Sequence, residues 1–339
     1  MKEPFAPNEL KIAVIGGGTG SFTLLSSLKE HTSRIAALVN MADDGGSTGQ
    51  LRDELGVLPP GDVRQCLVAL SRTPEIRDLF NYRFDDGALK GHAFGNLFLT
   101  ALEKMRGNFA DAVELAASIL NIVGTVEPIT LTNVRLAMEN GDGSVTHGEC
   151  LISEMDFQGT RPKMWLEPNA EANPVALRAI EKADIVVIAP GNLYGSLAPA
   201  LIVPGVGEAL KRSKALKVYI CNLVTKPGQT DNFKVHDFAA EVERLAGTDF
   251  LDAVLYNTEV PNKQLLEKYA KEGELSVQVD EAALKAARYR AYGANLLSRT
   301  IWQNANASDP LAASRTLIRH DSDAVALGLM ELYEHLRPQ

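Results

Sequence analysis

The stretch Lys11-Ile12-Ala13-Val14-Ile15-Gly16-Gly17-Gly18-Thr19-Gly20-Ser21-Phe22-Thr23-Leu24-Leu25-Ser26-Ser27-Leu28 decides the fold. Its first five residues are an apolar run rich in β-branched side chains, the mark of a short strand. The run ends abruptly in glycines, and Phe22, Leu24, Leu25 and Leu28 then recur at helical spacing. A second apolar run follows at residues 35–39. Strand, glycine turn, helix and strand make a βαβ unit, which requires a parallel sheet with a right-handed crossover.

Working outward, the same rhythm returns. Further strands are expected at residues 184–189, 217–221 and 251–256, and helices at 62–71, 94–105, 109–119, 235–245, 264–270 and 321–336. Asp62 is placed to cap the first of these helices, and Asp321 or Ser322 the last. Runs at 134–138 and 145–152 flank Asn140-Gly141-Asp142-Gly143 and read as a β-hairpin. The expected architecture is a Rossmann-like, mainly parallel α/β sheet with flanking helices and an inserted β-hairpin. Residues 1–10 read as an N-terminal extension and 11–339 as a single domain, with the hairpin at about 133–152 and an insertion at about 289–314.

Composition narrows the class. The chain has 339 residues, 45% hydrophobic and 23% charged, an ordinary globular balance. A formal net charge of −9 argues against a general nucleic-acid binder, which needs clustered cations to displace counterions. The three cysteines, Cys66, Cys150 and Cys221, are scattered and show no metal or disulfide spacing, which points to a reducing cytoplasm. No apolar run has the length of a membrane span, and none follows Met1 as a signal peptide would, so no membrane insertion is expected.

Chemistry is expected at the loops after the strands, because open α/β sheets bind ligands beyond the carboxyl ends of their strands. Gly17, Gly18, Thr19 and Gly20 can bring backbone amides and a helix N-terminus against an anion. Ser21 stands where a dinucleotide motif has its third glycine, and no Gly-Lys-Ser/Thr follows, so neither common phosphate motif is met. After the second strand, Asp43 and Asp44 could hold a metal ion or accept from sugar hydroxyls, and Ser47 could donate to phosphate. Arg64 could meet a phosphate, and Asn96 could face the cleft. His92 has no partner at metal-ligand spacing. The later loops offer Gly191, Asn192, Leu193, Tyr194 and Ser196, then Asn222 and Thr225. No GxSxG elbow, HExxH helix or CxxC pair is present.

Ile15-Gly16-Gly17-Gly18-Thr19-Gly20, Ala42-Asp43-Asp44-Gly45-Gly46-Ser47, Leu58-Pro59-Pro60-Gly61-Asp62-Val63-Arg64 and Leu193-Tyr194-Gly195-Ser196 resemble the YvcK-type gluconeogenesis factor family. That family belongs with the CofD-like proteins, whose enzyme members are 2-phospho-L-lactate transferases. The resemblance runs from about Lys11 to Asp321. It implies binding of a UDP-sugar such as UDP-N-acetylglucosamine, with Tyr269 and Arg319 among the contacts. It also implies links to gluconeogenic growth, cell shape and peptidoglycan synthesis. Asn192 stands where the family usually has Ser, and Lys226 where Gln is common.

Two functions follow. The favoured one is a regulatory nucleotide-sugar binder with no required cofactor and little or no turnover, a homodimer with a cell-wall-synthesis or regulatory protein as partner. The alternative is a transferase moving a phosphate-containing group from a nucleotide donor, with Mg²⁺ held by Asp43 and Asp44.

Overall fold

The structure is a computed structural model and describes residues 7–298 and 318–336. Ten strands are present among these residues: β1 Ile12–Gly16, β2 Ile35–Val39, β3 Thr125–Pro128, β4 Arg135–Glu139, β5 Val145–His147, β6 Lys163–Glu167, β7 Ile185–Ile188, β8 Leu216–Ile220, β9 Ala253–Asn257 and β10 Arg290–Ala294. Seven of them form one sheet in the order β10-β9-β8-β7-β1-β2-β3. Every pairing in it is parallel. β1 and β7 are buried along their whole length, as a strand covered by helices on both faces must be.

The strand order reverses between β1 and β7. From β1 the chain crosses through helix Gly18–His31 to β2, and from β7 through helix Val206–Arg212 to β8 on the other side. Right-handed crossovers in opposite directions put these helices on opposite faces and leave a crevice at the carboxyl ends of β1 and β7. Helix Gly18–His31 packs against helices Gly61–Leu70 and Ser322–Leu336, while helix Val206–Arg212 packs against Pro174–Lys182.

The crevice is tight. A Cβ on Gly20 would lie 1.6 Å from the Pro190 carbonyl oxygen, so only glycine lets the two strand-end loops meet.

Most expected elements are found within a residue or two, and three differ. The expected strand at 145–152 stops at His147, because Gly148 turns the chain with φ 104° into helix Glu149–Glu154. β4 and β5 do form an antiparallel pair, and β6 joins them on the far side of β4. Second, residues 46–49, expected in the loop that follows the second strand, open helix Gly46–Leu55. Third, the expected insertion begins with β10, which pairs in parallel with β9. The remainder from 299 to 314 lies outside the described residues.

Asp321 caps the last helix as expected, its Oδ1 accepting from the Ala324 amide at 2.9 Å. Asp62 does not cap its own helix. It lies inside helix Gly61–Leu70, and its carboxylate accepts from the Gly18 amide. Among the described residues no single helix is long and apolar enough to cross a membrane.

Candidate functional site

The glycine turn between β1 and its helix is met by a side chain of the protein itself. A Cβ added to Gly18 would lie 2.5 Å from Asp62 Oδ1, with Gln65 next, and one added to Gly17 would meet Ser196 Cβ at 2.9 Å and Asp62 Oδ2 at 3.0 Å. The Asp62 carboxylate thus occupies the N-terminus of helix Gly18–His31, where the helix dipole favours negative charge. The Thr19 hydroxyl lies 3.4 Å from Gln65 Oε1.

Further carboxylates converge on the same end of the sheet. Asp43 Oδ1 accepts from the Gly45 amide at 2.9 Å, and its carboxylate also takes the Thr48 hydroxyl. Asp44 caps helix Glu149–Glu154, accepting from the Cys150 amide at 2.9 Å and the Glu149 amide at 3.2 Å. Arg135 stands 3.8 Å from the Asp44 carboxylate. Glu149 accepts from Ser153 Oγ at 2.9 Å, and Ser153 Oγ in turn accepts from Asn192 Nδ2 at 3.0 Å. The chain Asn192–Ser153–Glu149 thereby joins the loop after β7 to the acids after β2.

Burial, followed by mutual repulsion, raises the carboxyls of Asp43, Asp62 and Glu149. Asp62 is pushed well above the usual range by burial and then by Asp43 and Glu149. Burial likewise raises Asp43. Glu149 is pushed up to about 7, by burial first and Asp43 second. The nearby Cys150 thiol is pushed up to about 12 by burial and by Glu149, which makes it a poor nucleophile.

Such a cluster can accept hydrogen bonds from sugar hydroxyls or gather around a hard dication. The potential metal-ligating atoms of Asp44, Glu149 and Cys150 lie within 4.8 Å of one another. Asp44 and Glu149 thus bring two carboxylates to metal-ligand separation, with Asp43 interacting electrostatically with both. A protonated thiol suits Mg²⁺ poorly, so the two carboxylates are the fitting donors.

Arg64 is turned inward. Its Nε donates to Asn96 Oδ1 at 2.9 Å and a terminal nitrogen to Asn81 Oδ1 at 2.6 Å. Asn96 Nδ2 donates to Ser47 Oγ at 3.2 Å, and Ser47 Oγ lies 3.0 Å from His92 Nδ1. These residues form a connected polar wall beneath the cleft. Leu193 and Tyr194 also point into the core: Tyr194 is fully buried, and its hydroxyl donates to Glu241 at 2.9 Å.

The loop after β8 leads away from the crevice. Asn222 Nδ2 donates to the Gly191 carbonyl at 2.7 Å, and its Oδ1 accepts from the Tyr219 hydroxyl at 3.0 Å. Asn222 and Thr225 then border a cavity of about 670 Å³ beyond the ends of β8 and β9. Tyr269 packs with Leu223, which borders the cavity, and with Ile318, and its hydroxyl accepts from the Ile318 amide at 3.0 Å. Arg319 is the next residue, and its carbonyl accepts from Ser298.

The site residues expected from the sequence thus fall into separate groups. Gly17, Gly18, Thr19, Gly20, Asp43, Asp44, Ser47, Arg64, Asn96, Gly191, Asn192 and Ser196 gather at the crevice, Leu193 and Tyr194 face the core, Asn222 and Thr225 line the cavity, and Tyr269 packs on Leu223 beside it, with Arg319 following Ile318 of the same cluster. Glu149, Ser153 and Gln65 were missed. Gly148 was the available signal, since glycine inside a strand pattern warns of a break.

The fold and its loops define a mainly parallel, doubly wound α/β protein whose polar groups meet at the reversal of strand order. A family profile described as 2-phospho-L-lactate transferase CofD matches residues 12–297. A gluconeogenesis factor of Listeria innocua is 38% identical over 328 residues, covering 95% of this chain and 95% of that protein. One from Halalkalibacterium halodurans is 42% identical over 279 residues, covering 81% and 86%. A crystal structure of a UPF0052 family member from Bacillus halodurans superposes with a TM-score of 0.85 at 37% identity, covering 95% of this chain and 98% of that one. The chain belongs to the CofD family, in its YvcK-type, gluconeogenesis-factor branch.

Proposed function

We propose that this protein binds a nucleotide-sugar, UDP-N-acetylglucosamine being the first candidate, and acts as a regulatory protein rather than through rapid turnover. One observation carries the reading. Asn222 bonds to the Gly191 loop while bordering the 670 Å³ cavity, so crevice and cavity lie along one edge of the sheet. Strands about 4.8 Å apart put β1 and β9 roughly 14 Å from each other, a span suited to an extended nucleotide-sugar. The cavity has the size of ordinary small-ligand sites.

In this reading the phosphates lie by the glycine loops, the sugar hydroxyls meet the acid cluster, and the nucleoside reaches the cavity. The names of the relatives and the family resemblance support a role in gluconeogenic growth, and the resemblance alone a role in cell shape and peptidoglycan synthesis. A homodimer, with a cell-wall-synthesis or regulatory protein as its target, completes the proposal.

Calorimetric titration with UDP-N-acetylglucosamine tests it. The expected outcome is saturable binding with the ligand recovered unchanged, weakened about tenfold or more in Arg319→Ala. Unchanged affinity in that variant would remove Arg319 from the site.

The acid cluster favours a second reading, a Mg²⁺-dependent transferase. A dication at Asp44 and Glu149 would supply charge neutralisation for a diphosphate leaving group. Asn192 and Ser153 would orient Glu149, and the buried acids would repel bulk anions. Loss of the nucleotide donor only when Mg²⁺ is present would establish this reading instead.

A further inference from the structure

Glu149 sits on helix Glu149–Glu154, which has only 6 residues. A helix that short cannot hold itself, and its position depends on the outside groups that satisfy its terminal amides and carbonyls. Asp44 does this at the N-terminal end, accepting from the Glu149 and Cys150 amides. Gln229 does it at the other end. Its Nε2 donates to the Ile152 carbonyl at 2.8 Å and to those of Ser153 and Met155 at 3.1 Å. Three carbonyl oxygens around one terminal atom identify it as the nitrogen, the only donor of the side chain. Gln229 is buried, and its Oε1 has no hydrogen-bond partner among the described residues.

Gln229 belongs to the loop after β8, which is folded tightly on itself. The Gln229 and Thr230 amides donate to the Lys226 carbonyl at 3.1 and 2.9 Å, and the Lys226 amide donates to Thr230 Oγ1 at 2.7 Å. The Phe157 amide donates to the Gly228 carbonyl at 2.6 Å, a second tie to the chain that leaves the helix. The same loop runs Asn222, Leu223 and Thr225 along the cavity. It therefore borders the cavity on one side and grips the helix of Glu149 on the other.

The Glu149 carboxylate itself lies in a narrow slot. Ser153 Oγ donates to it at 2.9 Å, and a Cβ on Gly195 would collide with its Oε1. A shift of the helix carries the carboxylate out of that slot, and hydrogen bonds weaken steeply as distance and angle depart from the optimum.

We propose that Gln229 is a positioning residue: it fixes the Glu149 carboxylate relative to the cavity and so aligns the crevice end of a bound ligand with its cavity end. It acts through Glu149 and touches no ligand. The inference rests on the nucleotide-sugar reading above, in which the sugar hydroxyls meet the acid cluster and the nucleoside reaches the cavity.

The test is titration of the full chain with UDP and with UDP-N-acetylglucosamine. The wild type should bind the sugar compound at least roughly tenfold more tightly than UDP, and Glu149→Ala should lose most of that ratio. Gln229→Met keeps the length of the side chain and removes its donors. It should cut the ratio to about threefold or less while leaving UDP affinity within about twofold. Gly195→Ala displaces the carboxylate from the opposite side and should give the same selective loss, and it serves as the independent variant should Gln229→Met fold poorly. A wild type that binds neither compound overturns the nucleotide-sugar reading together with this inference. A ratio near one in the wild type, or one that Glu149→Ala leaves intact, overturns the inference while nucleotide binding stands. So does a full ratio in Gln229→Met, or an equal loss of both compounds in it and in Gly195→Ala, which is what a merely structural side chain would give.

Discussion

At the residue scale, the molecule holds ionisable groups away from their ordinary titration ranges by burial. His320 is the clearest case outside the acid cluster. Its Nε2–H donates to the Cys221 carbonyl at 3.1 Å, and burial lowers its pKa to about 4. The folded state therefore binds the proton less readily than the unfolded chain, whose histidine titrates near 6.5. The stabilisation is complete above about pH 6.5 and is lost as pH falls toward 4. Urea unfolding at pH 7.5 and 4.5 should show roughly 2 kcal/mol more acid loss in the wild type than in His320→Gln. Equal losses would mean that His320 protonates freely in the folded protein. No sequence pattern announced this group: His320 follows Arg319 in a polar context, and its burial comes from the packing of the loop against the end of β8.

At the element scale, the loop after β7 is anchored by a polar network within the core. Leu193–Leu197 forms a single π-helical turn, and from it Tyr194 reaches Glu241 of helix Val235–Ala246. Glu241 is fully buried and also meets Arg244 at 2.6 Å and Arg161 at 3.2 Å. Removing one member of a buried charged set leaves the others unpaired, whereas trimming a neutral donor leaves the charges satisfied. Glu241→Ala should cost about 3–5 kcal/mol and Tyr194→Phe only about 1 kcal/mol, as measured by denaturant unfolding. Comparable losses would mean that the tyrosine hydroxyl, not the ion pairs, holds the turn. The sequence marked this loop as polar and functional. It could not show that Tyr194 faces the core, since that depends on which side of the turn helix Val235–Ala246 packs.

At the scale of the whole molecule, a ligand lying from the crevice to the cavity would touch loops after β1, β2, β7, β8 and β9 and so stabilise the fold as a unit. A ligand at a hundred times its dissociation constant adds about 2.7 kcal/mol. UDP-N-acetylglucosamine at that level should raise the thermal midpoint by about 4 °C. An unmoved midpoint counts against the nucleotide-sugar reading, and a rise seen only with Mg²⁺ favours the transferase. Read by itself, the sequence determined the βαβ start, the parallel sheet, most helix positions and the polar strand-end loops. Those features depend on local periodicity and on glycine, which a single chain displays directly. Only the tertiary structure decided that Asp62 serves the helix of Gly18, that Glu149 joins the acids after β2, that Arg64 faces inward, and that Glu274 and Ser276 line one cavity. These are contacts between segments far apart in the chain, and their geometry exists only once the sheet has brought the strand ends together.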